Sequence, residues 1–222
     1  MTIKKGEKIE EAYRRIKSMI YTNEIAPGQK LISKDLAARL NVSVTPVIQA
    51  LNRLVAHSDI VRYEPNRGYI VSEITETEAA DLYQAREALE TYIISSVVVN
   101  LDRQEAEKIR KEFRAPIERS SPQYQRIILL KDEQFHLKIA EYAHNSVISR
   151  LIKDIFEQIY LKYPPEYLTS QREKEHIKEH RRILESLVQG DIENATAVTK
   201  AHIKSGLNYV IKSLNAEKII LD

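Results

Sequence analysis

The chain has 222 residues, no cysteine and 43% hydrophobic residues, which is enough apolar material for a core and excludes disulfide frameworks and thiolate metal sites. The net charge of +2 hides an asymmetry, because residues 1–72 hold 12 Lys and Arg against 7 Asp and Glu while the remainder holds 22 against 25. No apolar run approaches the roughly 18 residues of a membrane span, and MTIKKGEKIE lacks the apolar stretch of a signal peptide, so the expectation is a cytoplasmic protein whose basic N-terminal part meets an anionic partner.

Residues 8–22 show helical periodicity, with Ile9, Tyr13, Ile16, Met19 and Ile20 on one side. Ala26-Pro27-Gly28 stops that helix. Ser33 is a candidate N-cap for the short helix KDLAARL, Asn41-Val42-Ser43 reads as a tight turn, and a third helix follows over roughly 44–56. Two short helices about a three-residue turn form a helix-turn-helix. Ile60–Tyr63 and Tyr69–Val71 then read as two strands about the turn Glu64-Pro65-Asn66-Arg67-Gly68. The object expected is a winged helix-turn-helix. Its third helix would offer backbone N–H groups and the hydroxyls of Ser43 and Thr45 to phosphates, with Lys34 and Arg53 adding charge. Arg67, beside Gly68 in the wing turn, would reach a minor groove. The bland alternative is a small helical domain whose hairpin contacts protein.

The stretch LISKDLAARLNVSVTPVIQALNRL, the preceding APGQKL and the later PNRGYIV resemble the DNA-binding domain of GntR-family bacterial transcription regulators. The resemblance covers roughly residues 10–72 and implies double-stranded operator DNA as a partner. The departures are specific. Val44 and Ile48 stand where the family often has arginines that contact its operators, Lys34 stands where Arg is common, and His57-Ser58-Asp59 replaces an acidic-Gly turn. Losing guanidinium contacts to guanine redirects base readout by about 1–3 kcal/mol per contact. Gln49 remains the best candidate base reader, with an adenine preference.

From Glu73 onward no strand pattern appears. Residues 73–77 read as a linker and residues 78–222 as an all-helical domain. Six helical segments are expected near 77–100, 102–119, 122–143, 146–162, 170–189 and 191–214. Pro116 should end or kink the second, Ser121-Pro122 start the third, Pro164-Pro165 end the fourth, and Gly190-Asp191 end the fifth and cap the sixth. Short connections make antiparallel neighbours, hence a six-helix bundle and a mainly α protein.

Asp132 and His136 lie four apart on one helical face. If the last two segments form a hairpin at Gly190, His180 and His202 lie roughly 15 and 18 Å from the turn, nearly level. Both belong to apolar faces, His180 with Ile183, Leu184 and Leu187, and His202 with Ala195, Val198 and Tyr209. One carboxylate and three imidazoles could therefore converge inside the bundle. His176, one turn from His180, could match His202 almost as well, and the plain alternative is a set of separate buried histidines. The rest of the run QREKEHIKEHRR reads as a solvated face. His144 reads as a cap or surface residue and His57 as structural. Arg86 lies on an apolar stripe with Leu82, Leu89 and Ile93, and Glu90 is its structural partner by spacing.

The DEQFH segment, EHRRILESLVQGDIENA and the KAH segment resemble the C-terminal domain of the FCD (FadR C-terminal) subgroup of GntR regulators, over about residues 78–212. Many members of that subgroup bind a divalent metal through one Asp and three His. Carried over by motif, the resemblance implies Asp132, His136, His180 and His202 as ligands, with His176 a neighbour. It also implies an effector pocket near Arg86 and Glu90, where Arg86 would clamp a ligand carboxylate and Tyr83 add a hydroxyl. Nitrogen and oxygen donors suit an ion of the zinc, nickel or manganese class. The expectation is a homodimeric regulator, a repressor by family default, that binds metal plus a small carboxylate-containing effector. The alternative is a regulator for which the ion itself is the signal. No HExxH helix or nucleophilic triad supports an enzyme.

Overall fold

The computed structural model describes residues 5–57, 59–114, 118–121 and 123–221. Ser58, Pro116 and Pro122, on which parts of the turn and helix-boundary readings fall, lie outside the described residues. The chain divides into two compact units, one of residues up to Ile74 with Tyr160–Pro164, the other of Thr75–Ile159 and Pro165 onward.

In the first unit, α1 (Lys5–Tyr21), α2 (Ser33–Leu40) and α3 (Val44–His57) precede the hairpin β2 (Val61–Glu64) and β3 (Gly68–Val71). Ala12, Ile16 and Ile20 of α1 share a core with Leu36, Leu40, Val47, Leu51 and Leu54. Asn41 ends α2 in the left-handed region, with φ 54° and ψ 46°, and its N–H bonds back to the last turn. Asn accepts that conformation more readily than other non-glycine residues, which makes the tight turn into α3. At the hairpin, Pro65 and Asn66 (φ 66°) occupy the central positions of a turn closed by the Arg67 N–H on the Glu64 carbonyl at 3.1 Å. Proline first and a positive φ second is what a type II turn requires.

Two expectations are corrected in this unit. Ser33 is the first helical residue of α2, and Ile32 holds the cap position without a side-chain cap bond. The segment after Gly28 contributes a short strand, β1 (Lys30–Leu31), giving a three-stranded antiparallel sheet of order β1-β3-β2. Gly28, at φ 76°, turns the chain so that its N–H reaches the Val71 carbonyl at 3.0 Å.

The second unit is helical among the described residues: α4 (Glu76–Tyr92), α5 (Ile94–Asn100), α6 (Arg103–Arg114), α7 (Tyr124–Glu141), α8 (Ser146–Lys162, up to Ile159 in this unit), a 3-10 turn (Pro165–Tyr167), α9 (Ser170–Gln189) and α10 (Ile192–Leu221). The helix expected over 77–100 is therefore two, broken at Ile93, where Ile93, Ile94 and Val97–Val99 flank a Ser-Ser pair and lower helix propensity. Thr75 caps α4 by accepting the Glu78 N–H at 3.1 Å. Gly190 ends α9 at φ 74°, and Asp191 caps α10 through the Asn194 N–H at 2.9 Å. The resulting α9–α10 hairpin packs α10 on both α9 and α4. A Cβ at Gly190 would touch nothing within 4 Å, so Gly190→Ala should cost only the backbone strain of a left-handed residue, about 1 kcal/mol. Chemical denaturation of the two proteins reads that difference directly.

Candidate metal centre and nucleic-acid interface

Helices α7, α9 and α10 bring four donors together. One ligand atom from each of Asp132, His136, His180 and His202 lies within 4.8 Å of all the others. Asp132 and His136 come from one face of α7, His180 from α9 and His202 from α10, level with each other because the hairpin turns at Gly190. Asp132 Oδ1 is 2.9 Å from His180 Nε2 and 3.9 Å from His136 Nε2, and the Nε2 atoms of His136 and His202 are 3.0 Å apart. Donors bonded at 2.0–2.1 Å to one ion would be separated by roughly 2.9–3.4 Å along the edges of an octahedron or tetrahedron.

The surrounding carboxylates fix the rings. His136 Nδ1 is 2.6 Å from Glu90 Oε2, and His202 Nδ1 is 2.7 Å from Glu179 Oε2. Burial would raise both glutamates, but His136 and Arg86 hold Glu90 down to about 2, and His202 and Arg172 hold Glu179 down to about 2. An ionised carboxylate only accepts, so each ring donates its Nδ1–H outward and presents Nε2 to the centre. Burial favours the neutral form of His202, and it lowers His180 to about 4 and His176 to about 3. The two Nε2 atoms face each other at 3.0 Å, and a shared cation would let both act as donors of an electron pair to one point. Burial works to raise the Asp132 carboxyl, yet His176, His180 and His136 outweigh it and hold the group well below its usual range. An anionic oxygen with Nε2 atoms turned toward it is the arrangement that metal ligation needs. The residues present fit a divalent ion of the zinc, nickel or manganese class.

Arg86 is buried, donating Nε–H to Glu90 Oε1 at 2.8 Å, with its guanidinium 4.0 Å from the Phe156 ring centroid. Its Nη2 also lies 3.4 Å from His136 Nε2, at the edge of the centre. Tyr83 is buried, 5.0 Å from that guanidinium. His176 sits 3.4 Å from Asp132 through Nδ1, outside the group of four. His144 is exposed just past α7 in a left-handed conformation, φ 51°. A cleft of about 540 Å³ borders His180, lined by Phe113, Phe135 and Ile177 together with Arg110, Lys178 and Arg182.

The solvated-face reading of α9 is corrected at two positions. Arg172 is 2% exposed, and its Nη1 donates to Glu179 Oε1 at 3.0 Å and to Ser205 Oγ at 2.9 Å. Arg172 and Glu179 thus form a strut behind His202 that sequence reasoning missed. The signal was present, since residues 172, 176, 179 and 180 share one face at helical spacing. The alternating charges around them disguised it.

In the first unit the outward side of α3 carries Val44, Thr45, Ile48, Gln49, Asn52 and Arg53. Ser43, just before it, and Lys34 on α2 are exposed, as is Arg67 in the wing turn, with Gly68 half-buried beside it. Arg53 pairs with Glu10 and lies 4.3 Å from the Tyr13 ring centroid, and Arg67 bonds Glu64 at 2.6 Å. Among the described residues no helix is long and apolar enough to cross a membrane.

Comparison with known proteins places these units. Residues 8–71 match the bacterial regulatory proteins of the gntR family, and residues 81–205, more than half the chain, match the FCD domain. The HTH-type transcriptional regulator YdhC of Bacillus subtilis is 24% identical over 193 residues, which cover 86% of this chain and 85% of that protein. Among solved structures, Escherichia coli McbR/YncC superposes with a TM-score of 0.72 at 21% identity over 96% of this chain and 100% of that one. A GntR regulator of Rhodococcus sp. RHA1 gives 0.77 at 19% identity over 92% and 97%.

Proposed function

For a chain that belongs to the GntR family of bacterial transcription regulators and carries their FCD effector-binding domain, we propose that its C-terminal unit holds a divalent metal and, beside it, a small organic acid that controls the grip of the winged helix on operator DNA. The observation that carries the metal is the pairing of His136 and His202 with ionised carboxylates, which turns two Nε2 atoms onto one point. A bound ion would supply a positive anchor with positions open to a carboxylate if its geometry is octahedral. Asp132, His136, His180 and His202 would hold it. Arg86, whose Nη2 reaches the centre while Glu90 holds its Nε, would orient the acid, and Tyr83 would pack behind it.

Charge supports an acid as the second ligand. At the centre Glu90 pairs with Arg86, Glu179 and the half-exposed Glu175 share Arg172, and Asp132 faces histidines, so among these groups carboxylates outnumber guanidinium groups. A divalent ion would offset that excess in a site where unbalanced charge is costly. Arg110, Lys178 and Arg182 around the cleft at His180 would draw an anion toward it.

The DNA contacts assigned are Lys34, Ser43, Thr45, Gln49, Arg53, Arg67 and Gly68. In the structure Arg53 and Arg67 rest on Glu10 and Glu64, so phosphates would compete with those carboxylates. A cytoplasmic homodimer reading two half-sites about one helical turn apart is the assembly proposed. The acid would act by binding one domain arrangement of that dimer better than another. Its role is control of transcription, with catalysis assigned to no residue.

A metal sensor is the second reading, favoured by the count of four protein donors, which would close a tetrahedral ion and leave it no position for an acid. Operator affinity separates the two. Measured in chelated protein, then at saturating zinc, nickel or manganese, then with a panel of mono-, di- and tricarboxylates added, it should change only at the last step. Affinity that follows free metal alone identifies the ion as the signal.

A further inference from the structure

We infer that Val44 and Ile48 are specificity residues that read thymine methyl groups, so that this regulator recognises an A·T-rich half-site by apolar contact where arginines would read guanine. The inference rests on the reading that α3 lies in the major groove.

The helix has two unlike faces. Val47, Ala50, Leu51 and Leu54 are fully buried, and they account for the inner face. Val44 and Ile48 point the other way, 36% and 38% exposed, one turn apart and flanked by the exposed Thr45 and Gln49. Neither packs into the core of its own unit. One helical turn separates them by roughly 6 Å along the axis, comparable to two base-pair steps of about 3.4 Å each.

The chemistry of the groove selects the partner. Guanine offers two acceptors there, cytosine a donor and adenine one of each, while only thymine offers a methyl group. Val or Ile pressed against guanine or cytosine would strip water from polar edges and return no hydrogen bond. Against thymine the same side chains bury a methyl group. Their β-branched side chains are stiff at χ1, so ordering them costs little. Gln49, next to Ile48 on the same face, can pair bidentately with adenine. One A·T pair then satisfies both kinds of side chain.

The test uses the full-length protein. A duplex is enriched from a random pool, and each thymine in the half-site is replaced by deoxyuridine, which pairs identically but lacks the methyl. Affinity should fall about fourfold for each contacted methyl, and restoring the methyl on cytosine as 5-methylcytosine at a mismatched position should recover part of a lost contact. In V44S/I48S, which exchanges both partly exposed apolar side chains for short polar ones that carry no methyl, the preference for thymine over uracil should be lost, and a thermal melt of the variant checks its fold. An enriched duplex that binds equally with thymine and uracil overturns the inference and leaves the DNA reading intact. A V44S/I48S protein that folds and still prefers thymine overturns it too. Failure to enrich any sequence removes the DNA reading and this inference together.

Discussion

Asp132→Asn is expected to abolish stoichiometric metal binding while leaving the fold and the DNA-binding unit in place. Asp132 supplies the only anionic donor in the group of four, and its Oδ1 stands 2.9 Å from His180 Nε2. The amide is nearly the same shape, so packing survives. It carries no charge, and it can turn an NH2 toward the imidazoles. Loss of an outer partner of a ligand costs roughly 10–100-fold in affinity, and a lost charged ligand should exceed that range. Metal content after dialysis, competition with a chelator of known affinity and a thermal melt with and without added zinc provide the readout. Wild type should gain stability on loading by mass action, about 2.7 kcal/mol when free ion reaches 100 times its dissociation constant. Asp132→Asn should gain none. Equal metal content in the two proteins would remove Asp132 from the centre.

Glu90→Leu is expected to destabilise the C-terminal unit by roughly 3–5 kcal/mol, the usual cost of breaking a buried ion pair by removing one partner. Both Arg86 and Glu90 are almost wholly buried, and Glu90 serves two neighbours, accepting from Arg86 Nε at 2.8 Å and from His136 Nδ1 at 2.6 Å. The double substitution Arg86→Leu with Glu90→Leu should recover most of the lost stability, because a well-packed apolar pair often equals or exceeds a buried ionic one. Metal affinity should not recover, since His136 still lacks the acceptor that fixes its tautomer. The two readouts therefore separate the structural work of the pair from its positioning work. If the double variant binds metal like wild type, Glu90 does not orient His136.

Much of this architecture was legible in periodicity and punctuation. Helices α8 and α9 occupy the ranges that Pro164-Pro165 and Gly190 predict, because those residues stop helices for local steric reasons. The hairpin was visible in Pro65-Asn66 and Gly68, whose backbone demands are equally local. What escaped were features decided at a distance. Strand β1 has two residues, too few for any alternation to show, and exists because β3 offers it a free edge. The break at Ile93 is a balance of weak propensities. The last helix runs past the expected end at 214 to Leu221, since no Gly or Pro stops it. Within the centre, the four donors could be nominated from spacing and resemblance. In the strut behind His202, Arg172 and Glu179 share a helical face seven positions apart, but both also reach Ser205, 33 and 26 positions away, and the alternating charges of the run mask a buried residue.

With a metal held as proposed, the α9–α10 hairpin would also set an order of events in the life of each newly made chain. His136 and His202 are 66 residues apart in sequence, and closing so long a loop is entropically slow unless other contacts have already done it. If an ion is held as proposed, its full set of donors exists only once three helices have docked, so tight metal uptake would report that a chain has matured.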